Sequence, residues 1–370
     1  MDAKSINAPR VSIDVRMINH SGIGTYVRNV VPRIVRLLPE WRYTLLAARN
    51  APIPGEWTSL ASMDVVQCSS DIYSVAEQLE LPFRQSPASD VFWSPHYNAP
   101  LLARGKLVVT VHDVGHLALA DLYGGALRQT YARSMFAGVR RRASRIIFVS
   151  NFSRSEFEHY VGVPPRGSTV IRNGVDASWF AIPSGKSPHP RPYLLFIGSV
   201  KPHKNLGGVL RALETAGDAY RGDLVVVGDR VDQRTIDRNS LALAAQLGER
   251  VHFAGRIDDA ALRAYVAHAE ALVMPSLYEG FGLPPLEAMA AGCPCIVSTR
   301  GGLPETCGDA ALYCDAADPA NIARQIVRMT TEPGLREEYV RRGRGQARGF
   351  SWDTCAVETA ALLRSLARSA

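Results

Sequence analysis

Two carboxylates, Glu279 and Glu287, stand eight residues apart in EGFGLPPLEAMAAG, around glycines and a pair of prolines. Ionised carboxylates accept hydrogen bonds from hydroxyl groups, so two of them separated by a bend suit two different hydroxyl-bearing parts of one ligand. A plainer reading also fits the spacing: Glu287 in the first turn of a helix over 285–291 favours the helix start, and Glu279 faces water. A second cluster, Lys201, His203 and Lys204 in FIGSVKPHKNLGGVLRAL, follows a hydrophobic strand and precedes a helix. Lys204 is the principal phosphate candidate there, because a compact ammonium neutralises phosphate oxygens without a metal. The G-x-x-x-x-G-K-[ST] spacing of a Walker loop is absent.

Three further places in the first half carry chemistry. Gly22 and Gly24 in HSGIGTYVRNVVPRIVRLL lie between a strand and an amphipathic helix, where small residues serve a tight turn or the close approach of an anion equally well. His112 and Asp113 end the strand KLVVTVHD, the position at which an α/β sheet presents side chains to a ligand; a histidine that only holds its loop is the alternative. Ser153 and Glu156 have the S-x-x-E spacing of a helix cap. Arg140 to Arg142 precede a strand without interleaved aromatics, so they read as a solvated helix end, and no nucleic-acid motif occurs elsewhere.

These residues need a scaffold of strands and helices, and the sequence alternates accordingly. RVSIDV, KLVVTVHD and RIIFVS in the first half, and YLLFIGS, DLVVVGD, RVHFAG, EALVMPS and PCIVST in the second, are short β-rich runs separated by helical periodicity. Helices are expected at 205–217, 259–269 and 285–291. The fold class is therefore α/β, with two mostly parallel sheets in a first domain over 1–180 and a second over 193–350. The segment AIPSGKSPHPRP, 181–192, breaks the apolar pattern and reads as the linker. At 351–370, Ala356, Ala360, Leu363 and Leu366 recur at near-helical spacing and predict a helix with one buried face.

The 370 residues are 46% hydrophobic and carry 42 basic against 35 acidic side chains, +7 with histidine neutral, which suits acidic ligands or anionic surfaces. No signal-like or membrane-spanning apolar run is apparent, so a cytoplasmic chain with peripheral membrane contact is expected. Cys68, Cys293, Cys295, Cys307, Cys314 and Cys355 lack zinc spacing and read as structural thiols.

Taken in order, SGIGTY, HD, SNFSRSEF, IRNGVD, FIGSVKPHKN, EGFGLPPLE and GFSW span nearly the whole chain and resemble a retaining GT-B glycosyltransferase of family GT4, in its bacterial polysaccharide and mannosyltransferase-like branch. The resemblance implies two Rossmann-like domains with a sugar-nucleotide cleft between them, acceptor mainly on the first and donor mainly on the second. It also implies that the final helix packs back on the first domain. Lys204 looks like the diphosphate-binding lysine, Glu279 like the acid that orients the donor sugar, and Glu287 like the ribose-binding acid. The amides of Phe281, Gly282 and Leu283 look like those around sugar and diphosphate, and His112 like the residue beside the transferred sugar. Gly22 and Gly24 look like the loop that approaches diphosphate. Ser199 stands where many relatives carry arginine, and serine brings neither the charge nor the fork of donors.

The expected substrates are accordingly a nucleotide sugar, GDP-mannose favoured, and a saccharide or lipid-linked glycan acceptor in surface polysaccharide assembly, without cofactor or catalytic metal. The implied reaction retains the anomeric configuration. A UDP-glucose or UDP-galactose transferase shares almost the same pattern. An NAD(P)-dependent oxidoreductase would need the full dinucleotide fingerprint that SGIGTY lacks, and a noncatalytic carbohydrate-binding or scaffold protein would bind without transfer.

Overall fold

A computed structural model of the chain describes residues 8–123, 125–181, 185–228 and 237–368. They belong to two compact units, one of Met1–Ala118, Gly124–Gly174 and Ser351–Ala370, the other of Leu119–Tyr123 and Val175–Phe350.

The first unit is built on seven strands: β1 (Arg10–Asp14), β2 (Arg42–Ala48), β3 (Ser62–Cys68), β4 (Val91–Ser94), β5 (Lys106–Val111), β6 (Arg145–Phe148) and β7 (Ser168–Val170). Their order is β3-β2-β1-β4-β5-β6-β7 and every pairing is parallel. Strands covered on both faces need apolar residues at every position, and Leu107 to Val111 in β5 are all buried. The chain winds outward in both directions from β1 and β4, the arrangement that leaves the carboxyl ends of these central strands open to ligands.

Behind the end of β1 lies a charged cluster that hydropathy does not reveal. Arg16 donates to Asp14 at 2.8 Å and to Glu77 at 2.7 Å, and all three side chains are fully buried. Burial alone would raise the Asp14 pKa, but Arg16 and a hydrogen bond from His96 hold it well below the usual carboxylate range.

The amphipathic helix Ile23–Leu37 buries Tyr26, Val27, Val30, Val31, Ile34 and Val35. The C-terminal helix Trp352–Arg368 packs against it within the same unit. The buried face of that last helix includes Ala356, Ala360 and Leu363, with Trp352 edge-on to Tyr26 at 6.0 Å. Arg33 donates to Asp353 at 2.8 Å, and Lys106 Nζ to the Leu366 carbonyl at 3.0 Å. Gly174 in IRNGVD is small for a local reason: a Cβ there would lie 2.0 Å from the backbone nitrogen of Trp352.

The second unit carries β8 (Tyr193–Ile197), β9 (Asp223–Val227), β10 (Val251–Gly255), β11 (Ala271–Met274), β12 (Cys295–Ser298) and β13 (Leu312–Cys314). The order is β10-β9-β8-β11-β12-β13, again parallel throughout. Its core joins Leu194, Phe196, Leu224, Val226, Val273 and Ile296 of the sheet to Val209 and Leu213 of the helix Leu206–Ala216. The other two expected helices run Asp259–His268 and Leu283–Ala291.

Several details differ from the sequence reading. β3, with its exposed alternate residues, and the three-residue β7 and β13 are edge or short strands whose weak apolar signal did not single them out, and β2 and β4 were likewise passed over. The units divide at Gly174 and Val175, ahead of 181–192. Within that segment 182–184 lie outside the described residues, and His189 is buried against Asp223 of β9 at 2.7 Å, so 185–192 belongs to the second unit. The helix after β6 starts at Asn151 with Ser150 as its cap, whose side chain accepts from Ser153 N; Ser153, expected to be the cap, lies inside the first turn. The six cysteines are buried, and burial pushes the Cys293 and Cys307 thiols up to about 12. Arg140 to Arg142 form the last turn of the helix Ala126–Arg142, where cations meet the free carbonyl end.

Candidate functional site

In the second unit, the loop after β8 and the loop after β11 meet through Lys204 and Glu279. Gly198 leaves β8 with φ 151° and donates its N–H to Val227 O at 2.9 Å. A Cβ at Gly228, which follows β9, would lie 2.2 Å from Gly198 O, so these strand ends touch backbone to backbone. Ser199 follows, its carbonyl accepting from Lys201 N at 2.7 Å, and a short 3₁₀ turn, Pro202–Lys204, leads to Asn205. Asn205 is left-handed at φ 59°, accepts from Gly208 N, and donates to Pro275 O at 3.0 Å and Ala316 O at 2.8 Å. This one side chain caps the helix Leu206–Ala216 and ties the loop to the ends of β11 and β13.

Lys204 thereby projects over Gly198, where a Cβ would lie 3.5 Å from its stem, and its Nζ reaches Glu279 Oε1 at 2.5 Å. Both side chains keep some solvent access, 17% and 13%. His203 O accepts from Leu277 N at 2.7 Å and locks the two loops in register.

The Glu279 loop is braced from the other side by a turn that the sequence reading passed over. Gly302 N donates to Glu279 O at 2.7 Å. A Cβ at Gly301, φ 69°, would lie 2.5 Å from Glu279 O, and one at Gly302 would lie 2.4 Å from Gly280 O. The signal was available: a glycine pair shortly after β12, in STRGGLPE, has the strand-then-glycine pattern used for Gly22 and Gly24.

Phe281 turns its ring into the core, edge-on to Phe350 at 5.8 Å, so it offers a ligand only its backbone. Gly282 has φ 102° and starts the helix Leu283–Ala291 with no side-chain cap. Pro284 and Pro285 have no N–H, which leaves Leu283 as the one amide donor among positions 283–285. The helix starts two residues before the expected 285, which moves Glu287 out of the first turn into the second, partly buried. Lys204, Glu279 and the Phe281–Leu283 backbone are thus consecutive parts of one loop constellation at the carboxyl end of the sheet, and Glu287 lies one turn along the helix it opens into.

In the first unit, Gly22 and Gly24 have different reasons to be glycine. Gly22 is exposed, with φ 71° and ψ −75°, and Ile23 N donates to Ser21 O at 2.9 Å across it, a γ-turn of the rare hand. Gly24 is buried, and a Cβ there would lie 2.4 Å from Ile18 O, so its small size serves the chain's own turn.

His112 follows β5, and its Nε2 lies 2.8 Å from the Pro95 carbonyl. A carbonyl only accepts, so Nε2 carries the proton and Nδ1 presents a lone pair. Burial lowers the pKa below its ordinary 6.5, which keeps the ring neutral. Tyr26 stands edge-on at 5.0 Å, and Ser153 Oγ donates to the His112 carbonyl at 2.7 Å. Ser153, inside the first helical turn and not its cap, thereby steadies the backbone of His112. Asp113 accepts from Gly115 N at 2.8 Å and closes the turn.

Comparison with known proteins gives consistent matches. Residues 178–346 match the family Glycosyl transferases group 1, and residues 78–179 match Glycosyltransferase Family 4. O-antigen chain mannosyltransferase B of Escherichia coli is 30% identical over 286 residues, 73% of this chain and 72% of that protein. O-antigen chain mannosyltransferase RfbU of Salmonella typhimurium is 29% identical over 223 residues, 60% of each chain. Among solved structures, sucrose-phosphate synthase from Thermosynechococcus elongatus superposes with TM-score 0.82 at 21% identity, covering 98% of this chain and 100% of that one. No helix among the described residues is long and apolar enough to cross a membrane.

Proposed function

The chain belongs to glycosyltransferase family 4, with the GT-B fold, and from that premise we propose that it transfers mannose from GDP-mannose to a saccharide or lipid-linked glycan acceptor in surface polysaccharide assembly. The mannose assignment draws on the similarity to the two O-antigen mannosyltransferases. The observation that carries the site is the Lys204–Glu279 contact at 2.5 Å. It sets a cation and a carboxylate side by side at the carboxyl end of a parallel sheet, as a ligand with a diphosphate next to a polyhydroxylated ring requires.

On this reading Lys204 neutralises the charge that develops on the diphosphate, with the Phe281–Leu283 backbone beside it. Ser199 supplies no charge, so Lys204 bears that task. Glu279 accepts hydrogen bonds from sugar hydroxyls, and Glu287 from the ribose. His112, neutral and with Nδ1 as its lone pair, acts as an acceptor toward the transferred sugar. The acceptor oxygen forms its bond to the anomeric carbon on the face from which the diphosphate oxygen departs. Its proton passes to that leaving oxygen, and the configuration is retained. The lipid-linked acceptor and the +7 charge favour peripheral contact with an anionic membrane.

The test is to incubate the full-length chain with GDP-mannose, UDP-glucose and UDP-galactose and with isolated glycan acceptors, then measure nucleotide release, transferred mass and the product's anomeric configuration by NMR. Release of GDP with an α-linked product is expected. Release of UDP alone overturns the mannose assignment, an inverted product overturns retention, and donor binding without transfer to any acceptor leaves a carbohydrate-binding protein. Recovery independent of anionic vesicles would remove the membrane contact.

A further inference from the structure

At the opposite end of the second unit's sheet, three side chains from three segments converge on one point. His189 precedes β8, Asp223 opens β9 and His252 is the second residue of β10. His189 Nε2 lies 2.7 Å from Asp223 Oδ2 and His252 Nε2 lies 3.3 Å from the same oxygen. The donor atoms of all three fall within 4.8 Å of one another, and the two imidazole rings are 4.4 Å apart between centroids. The strands are parallel, so this cluster sits at their amino ends, whereas Lys204 and Glu279 follow their carboxyl ends. A five-residue strand spans about 17 Å, which separates the two places.

We propose that His189, Asp223 and His252 form a binding site for a divalent transition ion of the zinc class, separate from the transfer chemistry. A zinc ion bound at about 2.0–2.2 Å by imidazole nitrogen and carboxylate oxygen sets its ligand atoms about 3.4 Å apart in a tetrahedron. The observed 3.3 Å nearly matches that value and the 2.7 Å contact is shorter, so small side-chain rotations that open the shorter contact convert the hydrogen-bonded triad into a ligand set. Two imidazoles in three donors favour zinc, cobalt, nickel or copper over magnesium or calcium, which prefer oxygen.

The surroundings fit a ligand shell. Asp223 is 1% exposed, and its second oxygen, Oδ1, lacks a well-directed hydrogen bond while facing the Arg191 guanidinium at 3.1 Å. A cation on the outer oxygen holds the carboxylate with Oδ2 toward the imidazoles, the orienting role that outer-shell partners play at metal sites. The His252 side chain is 42% exposed and provides the way in, while His189 is 9% exposed and fixed. Because β10 is the edge strand, an ion here would staple it and β9 to the segment entering β8.

The experiment is equilibrium dialysis of the full-length chain, freed of any polyhistidine tag, against Zn²⁺, with Co²⁺ absorption as a second readout. One zinc per chain, a rise in Tm with added Zn²⁺ and weak visible Co²⁺ bands are expected. H252A, at the exposed ligand, should weaken binding by about tenfold or more while the protein stays folded. R191A should weaken it less. H252Q supplies a second variant with similar bulk should H252A fold poorly. No retained zinc, unchanged affinity in H252A and H252Q, or an intense thiolate band with Co²⁺ that places the ion on cysteine would each overturn the site. None of these readouts depends on glycosyl transfer.

Discussion

Lys204 Nζ and Glu279 Oε1 stand 2.5 Å apart, each on a loop that the other loop helps to hold. Removing one partner leaves the other's charge partly buried and uncompensated, so the two positions should separate binding from turnover. K204A is expected to lower kcat by about 10²–10³-fold, in the range of a lost charge stabiliser, and to weaken GDP binding. E279Q is expected to keep or tighten GDP binding, because Lys204 is released to the diphosphate, while kcat falls. Calorimetry with GDP and steady-state kinetics check both, and an E279Q variant with normal turnover would return Glu279 to a purely structural role.

E287Q should act on the nucleotide. The glutamine oxygen still accepts from ribose but without the carboxylate's charge, which costs about 1 kcal/mol, so GDP affinity is expected to fall about fivefold with a smaller change in kcat at saturating donor. Titration of GDP against the variant measures this directly.

His112 should make the fold sensitive to mild acid. Burial lowers its pKa below 6.5 in the folded chain, so on acidification the unfolded chain takes up this proton first. Its stabilising contribution is present above about pH 6.5 and is lost as the pH falls below that value. The Tm of the natural chain is expected to drop more between about pH 7.5 and pH 5.5 than that of H112Q. Equal drops in the two proteins would contradict the buried neutral ring.

Ser150 caps the helix for which the S-x-x-E spacing suggested Ser153. Ser150 Oγ accepts from Ser153 N at 2.9 Å, so S150A should cost about 1 kcal/mol of stability through the lost cap. Ser153 Oγ holds the His112 carbonyl at 2.7 Å. S153A should therefore alter KM or kcat as well as stability, and thermal denaturation set beside kinetics distinguishes the two variants.

Gly24 and Gly22 should both lose stability on substitution by alanine, for different reasons. G24A drives a methyl against Ile18 O, 2.4 Å away, and is expected to cost about 1–3 kcal/mol with donor KM unchanged in the folded fraction. At Gly22 there is room for the methyl, but φ 71° strains any other residue, so G22A costs about 1–3 kcal/mol by deforming the γ-turn. Urea denaturation and donor KM for the two variants provide the check.

Much of this was legible in the linear order of residues. Apolar runs covered on both faces marked β1, β5 and β6 of the first sheet and β8 to β12 of the second, because a parallel strand must be buried everywhere, although the interior β2 and β4 escaped notice. A strand-loop-helix setting singled out Lys204 and a strand end singled out His112, because polar residues there are where an α/β sheet meets its ligands, while Glu279 stood out by its spacing to Glu287 around a bend. The face of the final helix was legible from Ala356, Ala360 and Leu363, but not the body it packs on, since periodicity describes one surface and not its partner.

What only the folded chain decided is which residues touch. Lys204 and Glu279 are 75 residues apart, and no local pattern encodes their 2.5 Å contact. The Gly301–Gly302 brace, the choice of Ser150 over Ser153 as cap, and the convergence of His189, Asp223 and His252 follow likewise from strand order and register. The sequence by itself determined the alternation of elements and the chemical types at their ends, because propensity and burial act over neighbouring residues. The tertiary structure decided the pairings, because they depend on backbone separations that hydropathy does not carry.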